Sequence, residues 1–112
     1  MNQQDLVWVR IPFTSLEESK IRPAVVVSNN SYNKNYDDVV VCAITSNLEE
    51  TPYSILIDQN NLSSGRLPLK SRIKADKIIQ VKKSLVLRYF AKLDIKTFDI
   101  LADKITKLIQ RD

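Results

Sequence analysis

The stretch SLVLRYFAKLDIKTFDILADKITKLIQRD (residues 84–112) changes its hydrophobic period part of the way along. Its first ten residues, Ser84–Leu93, include valine, tyrosine and phenylalanine and predict a strand. After Asp94, which is a favourable N-cap, apolar residues recur at spacings of three and four, as they do along one stripe of an amphipathic helix. This stripe consists of Phe98, Leu101, Ile105 and Leu108. The chain is therefore predicted to end in a helix that packs on its own sheet.

Five segments upstream of this stretch predict short strands, because they are rich in β-branched residues or alternate between apolar and polar residues. They are Asp5–Ile11, Ala24–Asn29, Val39–Ser46, Tyr53–Asp58 and Ser71–Val81. The segments between them contain Pro, Asn, Asp, Ser or Gly and predict loops. These loops cover residues 12–23, 30–38, 47–52 and 59–70. Strands first and one helix last predict a mainly β fold, a small barrel with a C-terminal α-helix, in one domain of residues 1–112.

The residues that the chain lacks exclude several kinds of site. It has no histidine, one cysteine and one glycine. Imidazole metal sites, Ser-His-Asp triads and two-histidine ribonuclease sites are therefore excluded, and no zinc-binding constellation remains. A single glycine also excludes Gly-rich phosphate-binding loops. We expect neither a metal nor another cofactor.

The apolar segments are all too short to cross a bilayer, which requires about 20 residues. The first residues, MNQQDLVWVR, lack the basic start and apolar stretch of a secretory signal. The lone Cys42 lies in the apolar run VVVCAI, where it is expected to pack as a small hydrophobic residue. We therefore expect a cytoplasmic protein.

The net charge of +4 conceals an asymmetry between the two parts of the chain. Residues 1–65 carry four Lys/Arg and eight Asp/Glu, whereas residues 66–112 carry thirteen Lys/Arg and five Asp/Glu. A basic segment of this kind is typical of a solvated surface, and it also suits a polyanionic partner such as nucleic acid. The charge pattern alone leaves both interpretations open.

One arginine stands directly before a predicted core strand, in the sequence KIRPAVVV (residues 20–27). Pro23 fixes its own φ angle and restricts Arg22 to an extended conformation. A solvated loop arginine is one interpretation of this position. The other is a preorganised clamp for an anionic ligand, because a guanidinium offers a fork of donors that matches phosphate oxygens.

The order of several motifs along the chain resembles the MazF/PemK family of toxin endoribonucleases. The resemblance covers nearly the whole chain, and it rests on the order and spacing of motifs that are individually weak. The motifs are DLVWVRIPF (5–13), IRPAVVVSN (21–29), VVVCAITSN (39–47), LPLKSRIKADKI (67–78) and KKSLVLRYFAKLDIKTF (82–98).

The resemblance implies an SH3-like barrel of the CcdB/MazF/PemK type, usually assembled as a homodimer. It implies an enzyme that cuts single-stranded RNA at short preferred sequences without a metal. In that reaction the 2′-hydroxyl attacks the adjacent phosphate and leaves a cyclic phosphate and a free 5′-hydroxyl. It also implies a cognate antitoxin whose acidic, disordered tail covers the basic groove.

Carried over by position, the resemblance implies that Arg22 and Thr45 are catalytic and that Ser46 and Asn47 face the RNA. An arginine has a pKa above about 12 and is a poor general base. Its chemistry favours stabilisation of the charge on the phosphoryl oxygens instead. The identity of the general base stays open.

The other RNA-binding candidates lie in predicted loops and on a basic strand. The loop residue Thr14 and the cations Arg72, Lys74 and Lys77 are candidates for contacts with the RNA. Strand cations, Arg88 included, are expected to bind phosphates more than the helix lysines Lys104 and Lys107 do. Tyr53 and Asp76 are also RNA-binding candidates, but each has a structural interpretation as well. Tyr53 is expected either to stack on a base or to pack on the barrel. Asp76 is expected either to accept a hydrogen bond from a base edge or to form a salt bridge with Lys74 or Arg72.

The chain departs from the family pattern at three places, which leaves rival functions open. Gln4 stands where the family commonly has glycine, the segment TSLEESKI (14–21) lacks the usual glycines, and Lys77 replaces a frequent glutamine. One rival is a catalytically weak module that binds RNA or a partner. A less favoured rival is a CcdB-type gyrase inhibitor, which needs a C-terminal tryptophan, whereas Trp8 is in the first strand.

Overall fold

The computed structural model describes residues 1–12 and 19–112. In these two ranges the chain forms seven strands and two α-helices, with the long helix last. The prediction of a mainly β fold with a C-terminal helix is therefore confirmed. In chain order the elements are β1 Asp5–Pro12, β2 Ser19–Val26, α1 Asn30–Asn35, β3 Asp38–Thr45, β4 Ser54–Ile57, β5 Leu62–Gly65, β6 Ser71–Lys82, β7 Val86–Leu93 and α2 Ile95–Ile109.

The strands form one antiparallel sheet in the order β4-β6-β3-β2-β1-β7-β5. The two end strands are far apart in this order, yet Ile57 of β4 and Leu62 of β5 pack in the same hydrophobic core. The sheet is therefore curled into a half-barrel.

Each face of the sheet carries its own core, which explains the long apolar runs of the central strands. Leu6, Val25 and Cys42 belong to one core, and Val7 and Val41 belong to the other. Because side chains alternate along a strand, consecutive apolar residues supply both faces. A strand buried on both faces reads as a continuous apolar run.

The helix α2 packs on the first core through Leu101, which is fully buried. Its N-cap is Asp94, whose side chain accepts a hydrogen bond of 2.7 Å from Thr97 N. The predicted amphipathic helix and its cap are confirmed. Among the described residues no helix is long and apolar enough to cross a membrane.

The predicted loop over residues 12–23 is wrong in its second part, because β2 begins at Ser19. Arg22 pairs with Val9 and Pro23 pairs with Trp8, so both residues lie inside a strand. A proline is tolerated here because β2 pairs with β3 only over Ala24–Val26 and has a single neighbour before that.

Two other predicted loops contain regular structure. Residues 30–35 form α1, whose N-cap Asn29 accepts a hydrogen bond of 2.8 Å from Tyr32 N. Within residues 59–70, β5 pairs with β7. Gly65 ends β5 at a φ of +80°, and a side chain there would clash with the carbonyl of Phe90.

A large bulge in β6 interrupts its pairing with β3. Cys42 pairs with Ile78 and Ile44 pairs with Ile73, so the single residue Ala43 faces residues 74–77. On its other side β6 pairs with β4, up to Lys74. The bulge bends β6 and displaces residues 74–77 from the β3 ladder.

Candidate functional site

The site begins where β2 and β3 separate. Their last paired residues are Ala24 and Ala43, and Arg22 and Thr45 each lie two residues beyond that pair. Because side chains alternate with a period of two, both residues point to the face on which Ala24 and Ala43 lie. Arg22 is exposed and Thr45 ends β3. The register therefore places these two predicted residues opposite each other across the open end of the ladder.

A cavity of about 410 Å³ lies at this opening. Five of the predicted site residues line it, and they come from three neighbouring strands and the loop after β3. They are Arg22, Thr45, Ser46, Lys74 and Lys77. The β6 bulge, which carries the two lysines, brings them beside the other three.

The charge of this cavity is positive. Its lining contains Arg22, Lys74 and Lys77, and none of its described lining residues is acidic. Within residues 1–12 and 19–112 these three cations form no salt bridge. An anionic ligand therefore meets three cations that internal carboxylates do not neutralise.

Thr45 is held in a tight turn that leaves its own proton free to donate. Its Oγ1 accepts a hydrogen bond of 3.1 Å from Asn47 N, and Asn47 Oδ1 accepts one of 3.0 Å from Glu49 N. The two turns follow each other and fix the start of the loop after β3. A hydroxyl that already accepts on one lone pair can still donate to a phosphate oxygen.

An apolar wall completes the large cavity. Trp8 and Phe90 stack with their ring centroids 5.1 Å apart and their planes at 30°, and both line the cavity. Residues 67–69 of the loop before β6 also line it. This wall was not predicted from the sequence, because β1 is apolar on both faces and its pattern does not show which face Trp8 occupies. The apolar triplet Leu67-Pro68-Leu69 inside a polar loop was the one available signal.

A smaller cavity of about 160 Å³ adjoins the large one, and Thr45 and Lys74 line both. The predicted residues Asn47 and Arg72 also line it. The Arg72 guanidinium is tied to the chain, because Nε donates to Leu48 O at 3.0 Å and Nη1 donates to Ser54 Oγ at 3.1 Å. Arg72 therefore fastens the loop after β3 to β6.

Two predicted residues within the described ranges, Tyr53 and Asp76, line neither cavity. Tyr53 is half-buried and packs against the first core, while Asp76 is exposed. Within the described ranges Asp76 forms no salt bridge with Lys74 or Arg72. Thr14 lies outside the described residues.

Cys42 lies beneath the bulge and is fully buried. Burial raises the pKa of its thiol to about 12, and the negative charge of Asp76 adds to the effect. The thiol is therefore protonated at neutral pH and is not a nucleophile. In the part of the chain that the structure describes, no group of three or more Asp, Glu, Cys or His residues is placed to hold a metal ion.

A sequence model of PemK-like, MazF-like toxins of type II toxin–antitoxin systems matches residues 2–109. No curated protein matches the sequence significantly.

Solved structures of MazF-type toxins share the fold. An endoribonuclease in complex with its cognate antitoxin, from a mycobacterial species, has a TM-score of 0.81 and 17% identity, with 100% of this chain and 97% of that chain covered. A chain of MazE–MazF from Deinococcus radiodurans has a TM-score of 0.81 and 19% identity, with coverages of 100% and 98%. The Mycobacterium tuberculosis toxin MazF-mt6 has a TM-score of 0.78 and 17% identity, with coverages of 96% and 98%. At these identities the likeness establishes the fold, which is the predicted barrel type.

Proposed function

Because the chain belongs to the family of PemK-like and MazF-like toxins of type II toxin–antitoxin systems, we propose that it is an endoribonuclease that cleaves single-stranded RNA. The observation that carries this proposal is that Arg22 and Thr45 lie opposite each other across the open end of the β2–β3 ladder, in one cavity with Lys74 and Lys77. Four phosphate-compatible donors converge there without an acidic neighbour among the described lining residues.

The proposed reaction uses the nucleophile that RNA itself carries. The 2′-oxygen bonds to the adjacent phosphorus, the bond from phosphorus to the 5′-oxygen breaks, and the 5′-oxygen leaves with a proton. Arg22 and Thr45 donate to the non-bridging oxygens, where charge builds up in the transition state. The proton of the 2′-hydroxyl passes to a base other than Arg22, because a guanidinium does not give up its own proton at neutral pH.

Metal independence is part of the same proposal. Arg22, Lys74 and Lys77 repel a divalent cation from the large cavity, and they supply the positive charge that a metal ion supplies in other nucleases. Lys74 and Lys77 bind the backbone as point charges, whereas the planar fork of Arg22 fits the reacting phosphate.

The proposed partners are a cognate antitoxin and a second copy of this chain. The mycobacterial relative in complex with its cognate antitoxin supports the first. An acidic, disordered tail suits the positive large cavity and would block Arg22 by occupying it. Light scattering checks the homodimer, and a monomer at working concentrations would contradict it.

The proposed function is tested by incubating the purified protein with a mixed single-stranded RNA in EDTA. We expect fragments that end in a cyclic phosphate and begin with a free 5′-hydroxyl. The product ends are identified by mass spectrometry. RNA that is retarded on a gel but stays intact would refute the nuclease and support a binding module.

A further inference from the structure

The small cavity contains an arginine and a carboxylate that do not neutralise each other. Arg72 and Glu49 both line it. In the described part of the chain they form no salt bridge with each other. A donor group and an acceptor group are thus presented to the same space of about 160 Å³.

Arg72 and the backbone of Glu49 are held in place before any ligand arrives. Arg72 uses two of its five N–H donors on Leu48 O and Ser54 Oγ, and the others are left for a ligand. The backbone of Glu49 is fixed by the Asn47 side chain. Fixed groups lose little freedom when a ligand binds, which favours recognition.

We propose that the small cavity binds the base of a guanine nucleotide of the RNA substrate, with Glu49 and Arg72 reading its edge. Guanine presents two adjacent donors, N1–H and the N2 amino group, which together suit the two oxygens of a carboxylate. Its O6 and N7 are adjacent acceptors that suit an arginine fork. The Watson–Crick edges of adenine, cytosine and uracil offer a carboxylate one donor position only, so they satisfy Glu49 less well.

The guanine belongs to a nucleotide that adjoins the reacting phosphate. Thr45 and Lys74 line both cavities, so a phosphate bound by Thr45 lies beside the small cavity. This inference rests on the proposed function for the position of the phosphate, and it adds the base that the enzyme selects.

The experiment has two readouts, cleavage and binding. A random-sequence RNA pool first identifies the base preferred on each side of the cut. Oligonucleotides with guanosine, inosine or adenosine at the preferred position are then compared for cleavage rate. The same oligonucleotides with a 2′-deoxy nucleotide at the cut site, which are not cleavable, are compared for affinity. We expect guanosine to exceed inosine, which lacks the N2 amino group, by about 10-fold in both readouts.

Glu49→Gln tests the carboxylate directly, because an amide cannot accept from two adjacent donors. We expect it to lower cleavage of the guanosine substrate by about 10- to 100-fold and to abolish the difference between guanosine and inosine. Glu50→Gln is the matched control, since it removes the same charge from the neighbouring exposed residue, which lines neither cavity. Thermal melting confirms that both variants are folded.

The outcomes separate the two proposals. Cleavage without a guanine preference beside the cut, or a guanine preference that survives Glu49→Gln, would overturn the guanine site and leave the nuclease standing. A wild-type protein that cleaves nothing, yet binds an RNA containing one guanosine more tightly than the same RNA with inosine in its place, would support the guanine site and refute the nuclease.

Discussion

Arg22 and Arg72 line adjoining cavities but are held in opposite ways. Arg22 is exposed, and in the described ranges no salt bridge restrains it. Arg72 is half-buried and donates two hydrogen bonds to the chain. In the large cavity, therefore, no salt bridge neutralises the charge of Arg22. In the small cavity the Arg72 guanidinium is fixed, and two of its N–H groups already donate to the chain. The difference teaches that two nearby arginines can differ in how many of their donors the fold has already used.

The largest expected effect is on catalysis, from the uncommitted arginine. Arg22→Ala should lower RNA cleavage by at least about 100-fold, as loss of an oxyanion donor does, and Thr45→Ala should act similarly. The free energy of unfolding of Arg22→Ala should stay within about 0.5 kcal/mol of wild type, because Arg22 is an exposed residue. Arg22→Lys should restore little activity, because a point charge does not replace the fork.

Cleavage is to be measured under single-turnover conditions, and the free energy of unfolding by urea denaturation. Arg111→Ala is the matched control, since it removes one arginine from the exposed chain end beyond α2. A folded Arg22→Ala protein with wild-type cleavage would refute the assignment.

Arg72→Ala should lower the stability of the protein, which Arg22→Ala should not. Loss of the bonds to Leu48 O and Ser54 Oγ should lower the free energy of unfolding by about 1–2 kcal/mol. Urea denaturation measures this change, with Arg22→Ala as the reference variant. If both variants are equally stable, the proposed division between the two arginines is wrong.

The salt dependence of RNA binding tests which lysines belong to the cavities. Single-stranded RNA loses affinity with a log–log slope of about −0.7 per neutralised phosphate, so Lys74→Ala/Lys77→Ala should reduce the slope by about 1.4. Lys96→Ala/Lys107→Ala is the control pair, because Lys107 already pairs with Asp103 at 3.0 Å on α2. Lys104 is not suitable as a control, because its Nζ donates to Pro52 O in the loop after β3. If only Lys96→Ala/Lys107→Ala reduces the slope, the RNA binds on the face of α2 and not at the cavities.

The smallest expected effect is on the pH dependence of stability, and it comes from Cys42, which lines neither cavity. Its thiol has a pKa of about 12 in the folded protein, above the ordinary value of 9.0. The unfolded chain therefore releases the proton first, so stability is unaffected below pH 9 and falls as the pH rises towards 12. At pH 10 the free energy of unfolding should have fallen by about 1 kcal/mol through this residue.

Chemical denaturation of wild type and Cys42→Ala between pH 7 and pH 10.5 isolates this contribution, because the other titrating groups are common to both proteins. Asp76→Asn should weaken the pH dependence, because the charge of Asp76 contributes to the shift. Parallel profiles of stability against pH for wild type and Cys42→Ala would contradict the contribution assigned to Cys42.

The sequence predicted those strands and helices whose apolar period and end signals lie within the segment itself. β1, β3 and α2 were expected at nearly their observed positions, since their apolar periods and the Asp94 cap lie within the segments themselves. The first residues of β2 and the whole of β5 were missed. Both are polar segments that become strands by pairing with distant partners, β1 and β7. Such pairing leaves no periodic signal in the segment.

The candidate site was predictable only in part for the same reason. The family resemblance singled out Arg22 and Thr45, and the register places them together. The aromatic wall of Trp8 and Phe90 depends on the way β1 and β7 curl beside the site. Glu49 is one acidic residue in a polar loop, and only the fold brings it to the same cavity as Arg72.

The bulge in β6 also bears on how this site changes during evolution. Asp76 and Lys77 pair with neither β3 nor β4, although they lie in the middle of a twelve-residue strand. Both are exposed, and Lys77 lines the large cavity. Substitutions at these two positions therefore alter no ladder and no core. At Lys77, which lines the large cavity, selection can therefore act on the ligand with little interference from folding, so ligand preference can change while the barrel stays the same.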